Sequence, residues 1–311
     1  MENIPTYSII APIYNEIGNL PELYRRLKET LEKTNETWEL LMVDDGSTDG
    51  STDEIRQLAA QDERVKPVIF ARNFGHQIAV TAGLDYARGH AVIIIDSDLQ
   101  DPPEVILDLI AKWKEGYEVV YAQRAEREGE TWLKLVTASL FYRIIYRITD
   151  VNIPEDTGDF RLLDRKVVNV VNQMRERHRF LRGMSVWVGF KQTGVKYRRS
   201  ARFSGVTKYP YKKMIKFASD AITSFSYFPL QLAMYLGFFS AGISILAIPV
   251  VIILRMVGLH AFSGQATTLI AVLFLGGVQL ISLGILGEYI GRLYDEAKGR
   301  PLYIVREAPS K

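Results

Sequence analysis

The chain has 311 residues, 38 Lys and Arg against 36 Asp and Glu, and 48% apolar residues, which gives it enough apolar material for a sizeable core and excludes a disordered protein. It contains no cysteine, so disulfides, thiolate metal sites and cysteine nucleophiles are excluded as well. Charge is unevenly spread: Ala221–Leu254 and Ala261–Gly287, runs of 34 and 27 residues, carry no Asp, Glu, Lys or Arg.

From the N-terminus, MENIPTYSII lacks the basic, apolar and small-residue succession of a secretory signal, so the first domain is expected to remain cytoplasmic. The next stretch alternates short apolar runs with amphipathic segments. Tyr7–Ile13, Trp38–Val43, Val65–Phe70, Ala91–Ile95 and Glu118–Ala122 read as strands, with helices such as Leu20–Leu31 and Pro103–Trp113 between them. That rhythm predicts an α/β fold with a parallel sheet covered by helices on both faces.

Such sheets bind ligands beyond the carboxyl ends of their strands. The candidates there are Pro12, Tyr14 and Glu16 after the first strand, Asp44 and Asp45 after the second, and Arg72 after the third. Asp96 and Asp98 follow the fourth, and Arg124 the fifth. Four aspartates at two strand ends, all near the carboxyl edge of one sheet, repel one another unless a cation sits among them. Oxygen ligands without cysteine or a His-x-x-x-His pair favour Mg2+ or Mn2+ over zinc. Magnesium prefers one or two carboxylates completed by substrate phosphates, so Asp96 and Asp98 read as half of a site for a diphosphate donor. The bland alternative for DDGSTDGS is a turn with a helix cap. Asp101 before Pro102 and Pro103 is expected to cap the following helix.

Further along, Leu133–Ile148 and Tyr211–Phe225 carry apolar stripes opposite lysines and arginines, as interfacial helices do. The two uncharged runs are each longer than the roughly 20 residues that cross a bilayer as a helix. Lys212, Lys213 and Lys216 precede the pair, and Arg292, Lys298 and Arg300 follow it. This pattern puts both ends on the cytoplasmic side of the plasma (inner) membrane. The expected organisation is a catalytic domain over 1–209, an interfacial helix over 210–228, a transmembrane hairpin over 229–291 and a cytoplasmic tail over 292–311. Glycines 237, 242, 276, 277, 284 and 287 allow close helix contacts, making a homo-oligomer plausible. No nucleic-acid partner is expected.

Six ordered motifs, PIYNE at 12–16, DDGS at 44–47, DSDLQ at 96–100, DTGDFRLLDR at 156–165, RFSGVTKY at 202–209 and GEYIGRLYDEAKGRP at 287–301, resemble those of the polyprenyl-phosphate glycosyltransferases. That group lies within the large inverting A-type nucleotide-sugar transferase family, beside dolichyl-phosphate mannose synthases and bactoprenol glucosyltransferases. The resemblance implies a GT-A, mostly parallel Rossmann-like sheet. It also implies a nucleotide sugar held by Pro12, Tyr14, Glu16, Asp44, Asp45 and Asp96, and a metal held by Asp96, Asp98 and Gln100. Asp159, Arg124 and Arg161 would be the catalytic groups, and Arg202, Thr207 and Lys208 would bind the acceptor phosphate. Val206 and Thr207 replace the family's usual Glu-Ser in that last motif.

A lipid phosphate monoester is already an oxyanion at neutral pH, which favours Asp159 as a positioning group, although the family also allows it as a base. Transfer of glucose from UDP-glucose to undecaprenyl phosphate with inversion is the preferred reading, with GDP-mannose and a dolichyl or polyprenyl acceptor as the alternative. A processive polysaccharide synthase is disfavoured because no Gln-x-x-Arg-Trp motif is present. The retained aspartates argue against a catalytically dead scaffold, and the absence of Gly-x-Gly-x-x-Gly after the first strand excludes a dinucleotide dehydrogenase. His76 and His178 receive no assignment.

Overall fold

The computed structural model describes residues 4–125, 154, 157–199, 226–257 and 264–309. The interfacial segments expected at 133–148 and 211–225 lie outside these residues, as do Arg202, Thr207 and Lys208.

Eight strands form one sheet in the order β7-β5-β6-β4-β1-β2-β3-β8. They span β1 Tyr7–Ile13, β2 Trp38–Asp44, β3 Val65–Phe70, β4 Ala91–Ile94, β5 Val119–Arg124, β6 Thr157–Asp164, β7 Gln192–Tyr197 and β8 Val305–Glu307. Strands β4, β1, β2 and β3 are parallel, with Tyr7 opposite both Trp38 and Ala91. The five strands read from the sequence run in one direction, as a mostly parallel sheet requires, and two further strands run against them: β6 between β4 and β5, and β8 along β3.

All seven residues of β1 and of β2 are buried, as strands covered on both faces must be. On one face, α1 (Leu20–Glu32) sets Leu20, Leu23, Leu27 and Leu31 against Tyr7, Ile9 and Ile13. That three-to-four residue spacing is one stripe of a helix. Helix α2 is Ser51–Gln61, and α4 (Ile106–Lys114) follows a 3-10 turn at Pro103–Val105. On the other face, α3 (His76–Tyr86) buries the uninterrupted run Ala79–Leu84. Gly83 lets α3 come close: a Cβ there would meet Ile10 Cγ2 at 2.3 Å. Helices α5 (Arg165–Gln173) and α6 (Leu181–Trp187) complete the layer. Asp164 caps α5 by accepting from Lys166 N at 2.9 Å and also accepts the Trp113 indole N–H at 2.8 Å.

Order reverses at β1, which is flanked by β2 on one side and β4 on the other, so the loops after β1 and β4 border the crevice where doubly wound sheets take ligands.

A second unit consists of two long helices, α7 (Phe228–Met256) and α8 (Gln265–Ala297). Within them Phe228–Leu254 and Thr268–Ala297 are long and apolar enough to cross a membrane, each with mean hydropathy 2.4. The chain then returns to the first unit. Ala71 N donates to Ile304 O at 2.9 Å, Tyr303 stacks on Phe70 with ring centres 5.2 Å apart, and the Tyr303 hydroxyl donates to Asp85 Oδ2 at 2.7 Å.

Candidate active site

The loops after β1 and β2 are laced together by side chains the sequence supplies for turns. Asn15 N donates to Ser47 Oγ at 3.0 Å, Glu16 N to Ser51 Oγ at 3.1 Å, and Ile17 N to Asp49 Oδ2 at 3.1 Å. In return Thr48 N donates to Asn15 Oδ1 at 2.8 Å. Gly46 is required where it stands: its φ is +71° and a Cβ would lie 2.5 Å from the Arg72 carbonyl carbon.

Asp44 and Asp45 face inward and make this scaffold. Asp44, fully buried, accepts from Ser47 N at 2.9 Å and from the Thr52 hydroxyl. Asp45 accepts from Phe74 N at 2.6 Å and Gly75 N at 2.9 Å, which fixes the turn entering α3. Pro12 is buried in β1, where its carbonyl accepts the Ser97 hydroxyl at 3.0 Å. Of the residues assigned by resemblance to the nucleotide, Tyr14 is the most open, at 42% exposure. Glu16 holds Asn19 at 2.6 Å.

After β4 the chain turns sharply through Leu99, a buried non-glycine residue at φ +57°. Such a conformation persists only where its surroundings enforce it. The turn leaves Asp98 Oδ1 accepting Gln100 N at 3.1 Å. Asp96 Oδ1 is buried and, among the described residues, has no hydrogen-bond partner; His76 Nε2 lies 3.6 Å away. Burial, together with the charges of Asp159, Asp101 and Asp98, pushes the Asp96 carboxyl up to about 6 against the opposing pull of His76.

Asp101 departs from expectation. It does not cap the next helix, whose first turn has no side-chain cap; it is wholly buried and accepts the Tyr197 hydroxyl, with Arg199 Nε 3.4 Å away. The reason is register: β7 ends beside β5, bringing Tyr197 opposite Arg124, so the buried carboxylate finds a stronger donor there than an N-terminal amide. Arg124 also bonds the Tyr197 hydroxyl, and its Nε is buried without a partner.

Asp159 sits at the centre. Ile94 pairs antiparallel with Arg161, so two residues past Ile94 and two before Arg161 bring Asp96 and Asp159 together. Asp159, 6% exposed, accepts Arg182 Nε on Oδ1 at 2.7 Å and Gln77 Nε2 on Oδ2 at 3.0 Å, with His76 Nε2 3.1 Å from Oδ2. Burial pushes its carboxyl up, but Arg182 and His76 outweigh that and hold it well below the ordinary carboxylate range. Burial lowers His76 in turn, and the Asp159 hydrogen bond with the charges of Asp96 and Asp159 raises it to about 9. An ionised carboxylate tied at both oxygens suits holding neighbours in place better than accepting a proton.

Arg161 lies beneath this cluster. At 3% exposure it donates to Gly158 O at 2.8 Å and to the Ser185 hydroxyl, and burial lowers it to about 10. Arg165 donates to Gly89 O at 2.8 Å. His76, Gln77 and Arg182 received no role from the sequence. The strand-end rule stops at Arg72, four residues short of His76. Arg182 has no local signal, because only the antiparallel β6 brings its helix to Asp159.

Among the described residues no group of three or more His, Asp or Glu side chains converges as a ready-made metal cage. Two carboxylates at one turn, one with a buried unpartnered oxygen, are nevertheless what a magnesium-like ion uses when substrate phosphates complete its shell. The residues present fit such an ion.

The family description "Glycosyl transferase family 2" matches residues 8–171, and "GtrB C-terminal hairpin" matches residues 228–293. An uncharacterized glycosyltransferase, YkcC, of Bacillus subtilis is 52% identical over 302 residues, 97% of this chain and 94% of the relative. A bactoprenol glucosyl transferase of Shigella phage SfV is 43% identical over 304 residues, 98% of this chain and 99% of that protein. Among solved structures, mannosyl-3-phosphoglycerate synthase from Rubrobacter xylanophilus is similar with TM-score 0.48 and 16% identity, over 70% of this chain and 72% of that one.

Proposed function

Since this chain belongs to glycosyl transferase family 2, we propose that it transfers glucose from a nucleotide diphosphate sugar, UDP-glucose, to the phosphate of a membrane polyprenyl lipid. The observation that carries the proposal is the meeting of Asp96, with its unpartnered carboxylate oxygen, and the Asp159, His76 and Arg182 cluster, at the crevice beside β1. A likeness of 43% over nearly the full length to a protein named for bactoprenol glucosyl transfer supports the choice of sugar and acceptor.

Both substrates are anions, so their approach requires compensation. Tyr14 and Glu16 border the nucleotide side, and Asp96, Asp98 and Gln100 would hold a divalent cation. Such a cation, when bound, supplies neutralisation of the leaving diphosphate. Arg182, fixed by Asp159, and Arg124, held at Tyr197, provide positive charge for the incoming phosphate. The acceptor oxyanion needs no strong base, and a single displacement at the anomeric carbon inverts its configuration. Asp159 therefore orients Arg182 and His76 rather than taking a proton.

Two helices long enough to span a bilayer would keep the enzyme at the surface where a polyprenyl phosphate exposes its head group. The pairing of β8 with β3 supports a cytoplasmic return of the chain after the hairpin.

The test is to incubate the full-length protein in membranes with polyprenyl phosphate and a panel of labelled nucleotide sugars, with and without chelator. Label in a lipid-extractable, mild-acid-labile product from UDP-glucose is expected. Label from GDP-mannose alone would move the donor assignment, and label only in long polysaccharide would replace the transfer reading with a synthase.

A further inference from the structure

Gln77 has an orientation that its partners leave no freedom to reverse. Its Nε2 donates to Asp159 Oδ2 at 3.0 Å and its Oε1 accepts Leu181 N at 3.1 Å. An ionised carboxylate only accepts and a peptide N–H only donates, so amide nitrogen and oxygen are assigned by chemistry. One side chain thus joins α3, β6 and the first turn of α6. The residue after Leu181 is Arg182, whose Nε donates to the other oxygen of the same carboxylate.

This linkage extends back to the loop after β2. Asp45 accepts Phe74 N and Gly75 N, and Gly75, at φ +104°, opens α3 directly before His76 and Gln77. The turn that ends β2 therefore sets where α3 begins, and the second residue of α3 sets the plane of the Asp159 carboxylate.

We propose that Gln77 is a positioning residue for glycosyl transfer, holding Asp159 so that one oxygen meets Arg182 and the other meets His76. The inference rests on the transfer reading given above. It differs from a plain structural strut in a way chemistry can separate. Glutamate has the same length and retains the acceptor for Leu181 N, but it turns a carboxylate toward Asp159 where an amide donated. Methionine keeps the length and loses both bonds. A strut that only braces the fold loses thermal midpoint in either variant and keeps turnover per folded enzyme, whereas a group that orients Asp159 loses turnover, most of all with glutamate.

The experiment compares full-length wild type, Gln77→Glu and Gln77→Met in membranes supplied with polyprenyl phosphate and labelled UDP-glucose. It reads kcat, KM for the nucleotide sugar and the thermal midpoint. Gln77→Glu is expected to lower kcat at least tenfold with KM within twofold and the midpoint near wild type; Gln77→Met is expected to lower kcat by a smaller factor. Wild-type turnover per folded enzyme in Gln77→Glu overturns the inference, and a lowered midpoint beside it leaves a strut. If Gln77→Glu unfolds, Gln77→Met decides, and an unchanged kcat there overturns the inference alone. A wild type that forms no lipid-linked product overturns the transfer reading and this inference with it.

Discussion

Arg182 Nε donates to Asp159 Oδ1 across 2.7 Å, joining a residue of the first turn of α6 to one near the start of β6. Arg182 keeps 23% of its side chain exposed while Asp159 keeps 7%. The guanidinium is thus the more open of the two groups and the carboxylate the more deeply buried. Arg182→Ala is expected to lower transfer turnover by roughly a hundredfold, the scale of losing one fixed charge donor at a developing anion. Arg182→Lys is expected to recover only part of it, since an ammonium lacks the planar fork that meets both carboxylate and phosphate. Initial rates of lipid-linked product check both; full activity in Arg182→Ala would remove this arginine from the site.

Asp98 stands two residues past Asp96 on the turn forced by Leu99. A chelator is expected to abolish transfer and added Mg2+ or Mn2+ to restore it. Asp98→Asn is expected to cut turnover by orders of magnitude at saturating metal while leaving membrane insertion unchanged. Retention of wild-type turnover in Asp98→Asn would dismiss the cation assignment.

The parallel half of the sheet was readable because Tyr7–Ile13 and Trp38–Asp44 are mostly apolar, broken only by Ser8, Glu39 and the terminal Asp44, and every residue in them is buried. Strand β6 interleaves Asp159, Arg161 and Asp164 with Phe160, Leu162 and Leu163, so its motif was visible while its direction was not. Direction shows only in its pairing with β4 and β5. Asp44 and Asp45 illustrate the opposite limit. Their motif permitted a turn or a ligand contact, and both carboxylates accept from the turns beside them. His76, Gln77 and Arg182 were silent because each acquires meaning only by facing Asp159 from another element.

Acid stability offers a prediction away from the site. Asp62, just after α2, accepts from Arg64 Nη2 at 2.7 Å and from the Tyr24 hydroxyl at 2.8 Å. The hydrogen bond from Arg64 outweighs burial and holds this carboxyl well below the ordinary range. A depressed folded-state value means the stabilisation is complete above the unfolded value of about 3.9 and disappears as pH falls through the lower folded value. Asp62→Asn is expected to cost about 1–2 kcal/mol at pH 7 and nothing near pH 1. Thermal midpoints across that range check it; a deficit that persists unchanged at the lowest pH would assign the loss to packing instead.

The return of the chain to the sheet supplies the last prediction. Tyr303 stacks on Phe70 at an interplanar angle of 13° and donates to Asp85 Oδ2, while Arg175 Nη1 reaches Asp85 Oδ1 at 2.8 Å. Asp85 lies near the end of α3, the helix that begins with His76 and Gln77. Tyr303→Phe removes one hydrogen bond and leaves the stack, so it is expected to cost about 1 kcal/mol. Tyr303→Ala removes both and exposes Phe70, and is expected to cost about 2–3 kcal/mol, less than a fully buried aromatic because Tyr303 is only half-buried. Exchange protection of the β3 amides follows the same order, since Ala71 N is bonded to Ile304 O and loses that partner whenever the segment lifts. Equal midpoints for both variants, or β3 protection indifferent to Tyr303→Ala, would mean that β8 is held by the Arg56 and Glu307 ion pair and its ladder alone.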